Sequence, residues 1–391
     1  MTSKITKTLC LLMMGLTACQ TIPTATEPPK DIQLSEVLIN STEVFAVVNT
    51  QVNSVDLEQQ AAEWGYSLKT KEKLEGLDMY VMTFDCPPGI DPHDAVVELE
   101  RLQPNSTVGV NHKYDLQLAP SALSITNTGY ADELINWPSN GCEANIPIGI
   151  IDGGLSIDFL TRYRDRISYK SFVKGTPSDA AMKHGDAVAS ILVEPRRLNS
   201  GQFHFAAVVS EGEKGEDFSG ILLMLKALDW MVKSDVKVAN VSLAGPRNPT
   251  LEKAINRAAE KGLIIVAAVG NDGENASPRY PAAYDNVIAT TAVNKDKNIY
   301  HDAVRGEHVD FAAPGVGIYV PNGEAGQFFS GTSIAAPFVT AVIASHFRNT
   351  DRKSTRDTVN LLSESTIDLG EIGKDPIFGS GLIKAKNNCL F

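Results

Sequence analysis

Basic residues are in deficit in this sequence: 35 Lys and Arg stand against 47 Asp and Glu, a formal net charge of -12. With no cationic surplus to neutralise phosphates, a general nucleic-acid binder is excluded. Long apolar runs are missing as well. The segment 9–16 is too short to span a bilayer, and no later stretch is long and apolar enough to be a transmembrane helix. No internal repeat or long low-complexity segment is evident. Cysteine is scarce, with five in 391 residues. What remains is the composition of an ordinary globular protein, 43% hydrophobic and 21% charged, long enough for one large domain and a small one.

The first residues read as an address. Lys4 and Lys7 precede the apolar segment, which is the layout of a secretory signal peptide. It closes on Leu16-Thr17-Ala18-Cys19, which resembles the processing site of bacterial lipoproteins. There the cysteine becomes the acylated first residue of the mature chain. Gln20 follows where an aspartate would favour the inner membrane. The expectation over residues 1–19 is a lipoprotein-type signal ending at a lipidated Cys19, with Thr- and Pro-containing residues 20–40 as a tether. That makes an exported protein of the cell envelope, anchored in the outer membrane through lipid and facing periplasm or exterior. Ordinary secretion with cleavage near Ala18 is the alternative.

Between residues 41 and 118 the pattern is that of a small α+β unit. VFAVVN and LDMYVMTF read as strands and LEQQAAEW as a helix. Residues 92–102 put Ala95, Val96, Leu99 and Leu102 on one helical face, and a strand near 107–110 completes a βαββαβ-like order. No cluster of catalytic residue types lies there. Residues 119–144 read as linker and processing segment. From 145 to 391, apolar strands alternate with amphipathic helices. NIPIGIID, VKVANVSLAG, LIIVAAVGN and NVIATTAV are buried strands, and HGDAVASILV starts a helix. SGILLMLKALDWMV places Ile221, Leu225, Leu228 and Val232 on one face. Asn248 as cap, Pro249 at the first position and Gly262 as the stop delimit a further helix. This alternation implies an α/β fold with a doubly wound, mostly parallel sheet and helices on both faces. In such sheets, sites collect beyond the carboxyl ends of the strands.

Asp152 stands directly after an apolar strand, before Gly153 and Gly154; by itself it is an ordinary turn or cap residue. His184 and Asn271 are equally unremarkable alone, the latter opening an Asn-Asp-Gly turn. In order along the chain, however, GIIDGG, KHGDAVA, NVSLAGP, VAAVGNDG and FSGTSIAAPFVTA each resemble a block of the subtilisin-like serine proteases. The order Asp, His, Ser is that family's own. The resemblance covers residues 145–382, and the unit at 41–118 is similar in pattern to the family's propeptides.

The resemblance implies a serine endopeptidase acting on polypeptides through an acyl-enzyme. Ser333 would be the nucleophile, His184 its base, and Asp152 the carboxylate that fixes the imidazole. The Asn271 amide and the Ser333 N–H would hold the oxyanion. Ser242, Leu243, Ala244 and Gly245 on one side, and Ala267, Ala268, Val269 and Gly270 on the other, would line the substrate pocket. The small unit would be an intramolecular inhibitor, cut away by the enzyme itself between about Asp115 and Asn127. Cys142 and Cys389, near the two ends of the catalytic domain, either pair in an oxidising compartment or remain free thiols. No cofactor is identified; calcium sites are frequent in the family, but no acidic cluster here names ligands.

Two positions depart from the family pattern. Gly153 replaces a hydroxyl residue after the aspartate, and Asp186 with Ala187 replaces threonine and histidine after His-Gly. Asp186 would favour the imidazolium if it lay close to His184. Two other readings compete: a catalytically silent scaffold that docks peptides, and a sedolisin-like acid peptidase. Retention of all four catalytic side chains opposes the first, and His184 with Asn271 opposes the second.

Overall fold

The computed structural model describes residues 38–116, 119–120, 129–322, 325–348, 354–385 and 389. These lie in one compact unit, Gln33–Phe391; Met1–Ile32, including Cys19, falls outside the described residues.

Four strands, β1 (Glu43–Val48), β2 (Ser67–Leu74), β3 (Met79–Asp85) and β4 (Ser106–Val110), form an antiparallel sheet in the order β2-β3-β1-β4. Helices α1 (Gln51–Glu63) and α2 (Pro92–Leu102) cover one face. Alternation in β1 shows how it is used: Val44, Ala46 and Val48 pack with Leu57, Ala61, Ala95 and Leu99 of those helices. Phe45 and Val47 point the other way and join the main body. Both faces being covered, the run VFAVV is apolar without interruption. The polar strand SLKTKEKL, β2, lacks an apolar pattern because it is a largely exposed edge.

The body is built on seven strands. They are β7 (Ile148–Asp152), β8 (Ile167–Ser171), β9 (Phe203–Ala207), β12 (Val238–Val241), β14 (Ile264–Ala268), β15 (Val287–Val293) and β16 (Val309–Pro314). Their order is β16-β15-β14-β12-β7-β9-β8, and every pairing is parallel. The short helices α3 (Tyr130–Leu134) and α4 (Ile157–Arg162) lie before and after β7 in the chain. Helices α5 (Asp179–Val193) and α8 (Thr332–His346) share one core with the sheet. Helices α6 (Ile221–Lys233) and α7 (Pro249–Glu260) bury Leu225, Leu228, Leu251 and Ile255 in the other, together with Phe45, Val47, Met79 and Val81 of the small sheet. Helix α9 (Thr355–Ser363) is closed by a capping box of Ser354 and Asp357. As the sequence indicates, α7 begins at Pro249 with Asn248 as its N-cap, and Gly262 follows its end at φ +91°.

Polar contacts reinforce the seat of the small sheet on α6 and α7. Asp229 accepts from the N–H groups of Gly76 and Leu77 at 2.6 and 3.2 Å. Lys226 pairs with Glu72 at 2.7 Å, and Asn248 Nδ2 donates to the Val110 carbonyl at 2.9 Å. Tyr130, Ile135 and Trp137, within the stretch expected to be linker, are buried in the main core. Cys142 and Cys389 form a disulfide, with Cα atoms 5.5 Å apart, and Cys86 has no disulfide partner among the described residues. Among the described residues, no helix is long and apolar enough to cross a membrane.

Candidate active site

Two glycines set the approach of α5 to the end of β7. A Cβ on Gly185 would stand 1.9 Å from the Gly154 carbonyl oxygen, and one on Gly153 would stand 2.4 Å from that of Ala181. Neither position tolerates a side chain, so α5 lies directly on the turn after β7. His184 therefore sits in the second turn of α5 and not at its start, since the helix begins earlier, capped by Ser178. From there its Nδ1 reaches Asp152 Oδ1 at 2.7 Å, and its Nε2 lies 3.0 Å from Ser333 Oγ. Asp152, His184 and Ser333 are all buried, at 0%, 1% and 0% exposure. A serine hydroxyl within bonding reach of an imidazole, itself held by a buried carboxylate, is the arrangement of an activated nucleophile.

Asp152 Oδ1 also accepts from the Gly153 N–H at 2.6 Å, whereas among the described residues its buried Oδ2 has no hydrogen-bond partner. The cause lies in the packing just described: residue 153 has no room for a hydroxyl-bearing side chain. Asp186 turns away to accept from the Ser156 N–H at 3.0 Å, and burial raises its pKa. Its carboxylate serves the start of α4.

Ser333 is the second residue of α8, after Gly331 at φ +145° as the N-cap. N–H groups in a first helical turn have no intrahelical acceptor and lie at the positive end of the dipole. Asn271, beyond the end of β14, accepts through Oδ1 from both the N–H and the hydroxyl of Thr332, at 3.0 and 2.9 Å. That fixes the amide: its oxygen faces α8 and its nitrogen is presented away from Thr332. Thr332 also accepts from the Gly270 N–H at 3.2 Å.

Residues 131–381 match the Subtilase family. The chain belongs to the subtilase family. It is 27% identical to the minor extracellular protease Epr of Bacillus subtilis (strain 168) over 64% of its own length. That match takes in only 39% of Epr. Subtilisin E of the same organism is 28% identical, over 76% of this chain and 75% of that protein. Among solved structures, fervidolysin from Fervidobacterium pennivorans, a keratinolytic enzyme related to subtilisin, superposes with a TM-score of 0.70. It shares 18% identity and the superposition covers 88% of this chain and 60% of that one, a likeness of fold. The triad geometry is accordingly that of a subtilisin-like serine endopeptidase.

In this subtilase the segments flanking the triad carry strands of their own. Strand β5 (Lys113–Leu116) lies in an antiparallel sheet of order β10-β11-β5-β13, with β10 (Ser210–Glu211), β11 (Asp217–Gly220) and β13 (Leu243–Ala244). Strand β6 (Ala119–Pro120) pairs with β18 (Ala325–Ser330), which also pairs with β17 (Ile318–Asn322). Leu243 and Ala244 thus offer their edge to β5. Gly245 is bonded through its own N–H and carbonyl to Tyr280, both at 2.8 Å. Ala267 and Ala268 are core residues of β14 and, with Val269, are fully buried, while Gly270, also buried, leads on to the half-buried Asn271. Sequence reasoning missed Thr332, Asn240 and the side chain of Ser242. Asn240 stands in an otherwise apolar buried strand, and that anomaly was the available signal.

Proposed function

We propose that the protein is a serine endopeptidase made as an exported precursor, in which residues 41–118 form an inhibitory unit that the enzyme severs. The course of the chain past Ser333 carries this reading. Leu116 and Asp115 pair with Leu243 and Ala244, and Ala119 pairs with Ser330, three positions before the nucleophile. The bonds joining Leu116 to Ala119 are bracketed by these two pairings. Gln117, Leu118 and residues 121–128 of the expected processing window lie outside the described residues. Tyr114 anchors the segment: it is fully buried, and its hydroxyl donates to the Pro246 carbonyl at 2.7 Å. The likeness to subtilisin E supports the same reading, because a match over 76% of the chain must reach upstream of residue 131.

The mechanism follows from the distances. His184 Nε2 takes the proton as Ser333 Oγ attacks the scissile carbonyl, and returns it to the leaving amine. Asp152 Oδ1 accepts from the imidazole Nδ1–H and stabilises the imidazolium. The Ser333 N–H and the Asn271 amide nitrogen stabilise the oxyanion, the latter held in orientation by Thr332. A polypeptide substrate takes the place of β5, hydrogen-bonded as an added strand between β11 and β13, which gives affinity with little sequence selectivity. Export and an anchor through lipid on Cys19 complete the proposal, in keeping with a relative named as extracellular. Replacing Cys19 with Ser is expected to move the protein from the membrane to the soluble fraction.

The test is processing. Wild type is expected to separate between Leu116 and Ala119, as read by intact mass, while Ser333→Ala stays whole and fails to react with a fluorophosphonate. Equal cleavage of both would remove self-processing, and an unreactive wild type would remove the peptidase itself.

A further inference from the structure

The carbonyl of Ser333 departs from an ordinary helix. In α8 it would accept from the N–H four residues on. That residue is Pro337, which has no N–H. The hydroxyl of Ser242 instead donates to the Ser333 carbonyl oxygen at 3.2 Å. Ser242 is itself held, because Asn240 Nδ2 donates to its Oγ at 2.8 Å. Asn240, Ser242 and Ser333 are all at 0% exposure, so water does not compete for these bonds. Asn240 belongs to β12, whose parallel neighbour β7 carries Asp152.

We propose that Ser242 is a positioning residue for the nucleophile. Its hydroxyl stands in for the helical hydrogen bond that Pro337 removes, and it fastens the Ser333 peptide unit to β12 beside the strand bearing Asp152. The reacting hydroxyl and the oxyanion-binding N–H then keep their places relative to His184 while the acyl intermediate forms and breaks. Fixing residue 333 from the sheet also frees the first turn of α8 from having to define the geometry alone. Small misplacements of a nucleophile are costly in rate, which is why a bond so far from the substrate matters. The proposal rests on the serine-endopeptidase reading above.

A cycle of variants tests it, in the full chain, by kcat, KM and the rate of fluorophosphonate labelling. Ser242→Ala is expected to lower kcat and labelling about 10-fold or more, with KM within about twofold of wild type. Pro337→Ala supplies an N–H aimed at the same carbonyl, so Ser242→Ala with Pro337→Ala is expected to recover most of the lost kcat. A merely structural serine would not be rescued by a backbone donor on the opposite element. Unchanged kcat in Ser242→Ala overturns the proposal, as does a double variant whose losses simply add. If Ser242→Ala does not fold, Ser242→Cys, of similar size and only a weak donor, is read instead; full kcat there overturns the proposal equally. Failure of wild type to label would instead remove the endopeptidase reading, so the two failures are distinct.

Discussion

Lowering the pH is expected to reduce the folding stability of the chain by about 2 kcal/mol through His112, which sits where the small unit meets α7. His112 Nδ1 lies 3.1 Å from Asn248 Nδ2. The Asn248 amide is not free to flip, because its Oδ1 accepts from the N–H groups of Thr250 and Leu251 as the cap of α7. Its Nδ2 also donates to the Val110 carbonyl. The imidazole must therefore be the acceptor, which requires a neutral ring. Burial lowers the His112 pKa from 6.5 to about 4, and the neighbouring His93 acts in the same direction. Between those two values the unfolded chain binds a proton that the folded chain does not, so stability is full above about pH 6.5 and falls as the pH drops towards 4. At about 1.4 kcal/mol per pH unit the whole span is worth about 3 kcal/mol, and solvent screening of a ring that is not fully buried reduces it to about 2. The assay is urea unfolding of the Ser333→Ala chain, which is expected to stay in one piece, at intervals from about pH 7 to about pH 4.5. The comparison is the same chain with His112→Gln, whose side-chain oxygen accepts from Asn248 without titrating. The His112 chain should lose about 2 kcal/mol more than the Gln chain over that range; parallel curves would refute the argument.

Removing the Asn271 amide as Asn271→Ala should lower kcat about 100- to 1,000-fold with little change in KM, the loss known for one such donor in subtilisin. Gly153→Ser restores the family's hydroxyl but places a Cβ 2.4 Å from the Ala181 carbonyl. It should destabilise by about 1–3 kcal/mol and lower kcat; an unchanged melting temperature would contradict the close approach of α5. The Cys142–Cys389 bridge closes a separation of 247 residues. Replacing both cysteines with Ser should cost about 5 kcal/mol on the chain-entropy account, measured as a lower urea midpoint. Tyr114→Ala should leave the cleaved small unit bound less tightly, which inhibition by the isolated unit added in trans would report.

The order of strands and helices in the body could be read from the sequence, because buried parallel strands are continuous apolar runs and helix ends carry caps such as Asn248 and Pro249. The triad could be read as well, since five short blocks in a fixed order constrain one another where Asp152, His184 or Asn271 alone would not. Strand β2 escaped because an exposed edge has no apolar alternation to detect. The placement of Lys113–Leu116 between β11 and β13 escaped for a different reason. A segment that borrows its partners from residues about 100 positions away carries no local mark of doing so. What the sequence determined by itself was which groups can do the chemistry and in what order the elements occur. Tertiary structure alone decided that α5 rides on glycines close enough for His184 to reach Asp152, that Oδ2 of Asp152 finds no partner among the described residues, and that Ser242 takes the bond Pro337 cannot make. Those outcomes depend on how closely elements far apart in the chain approach one another, and close packing, not local preference, fixes that approach.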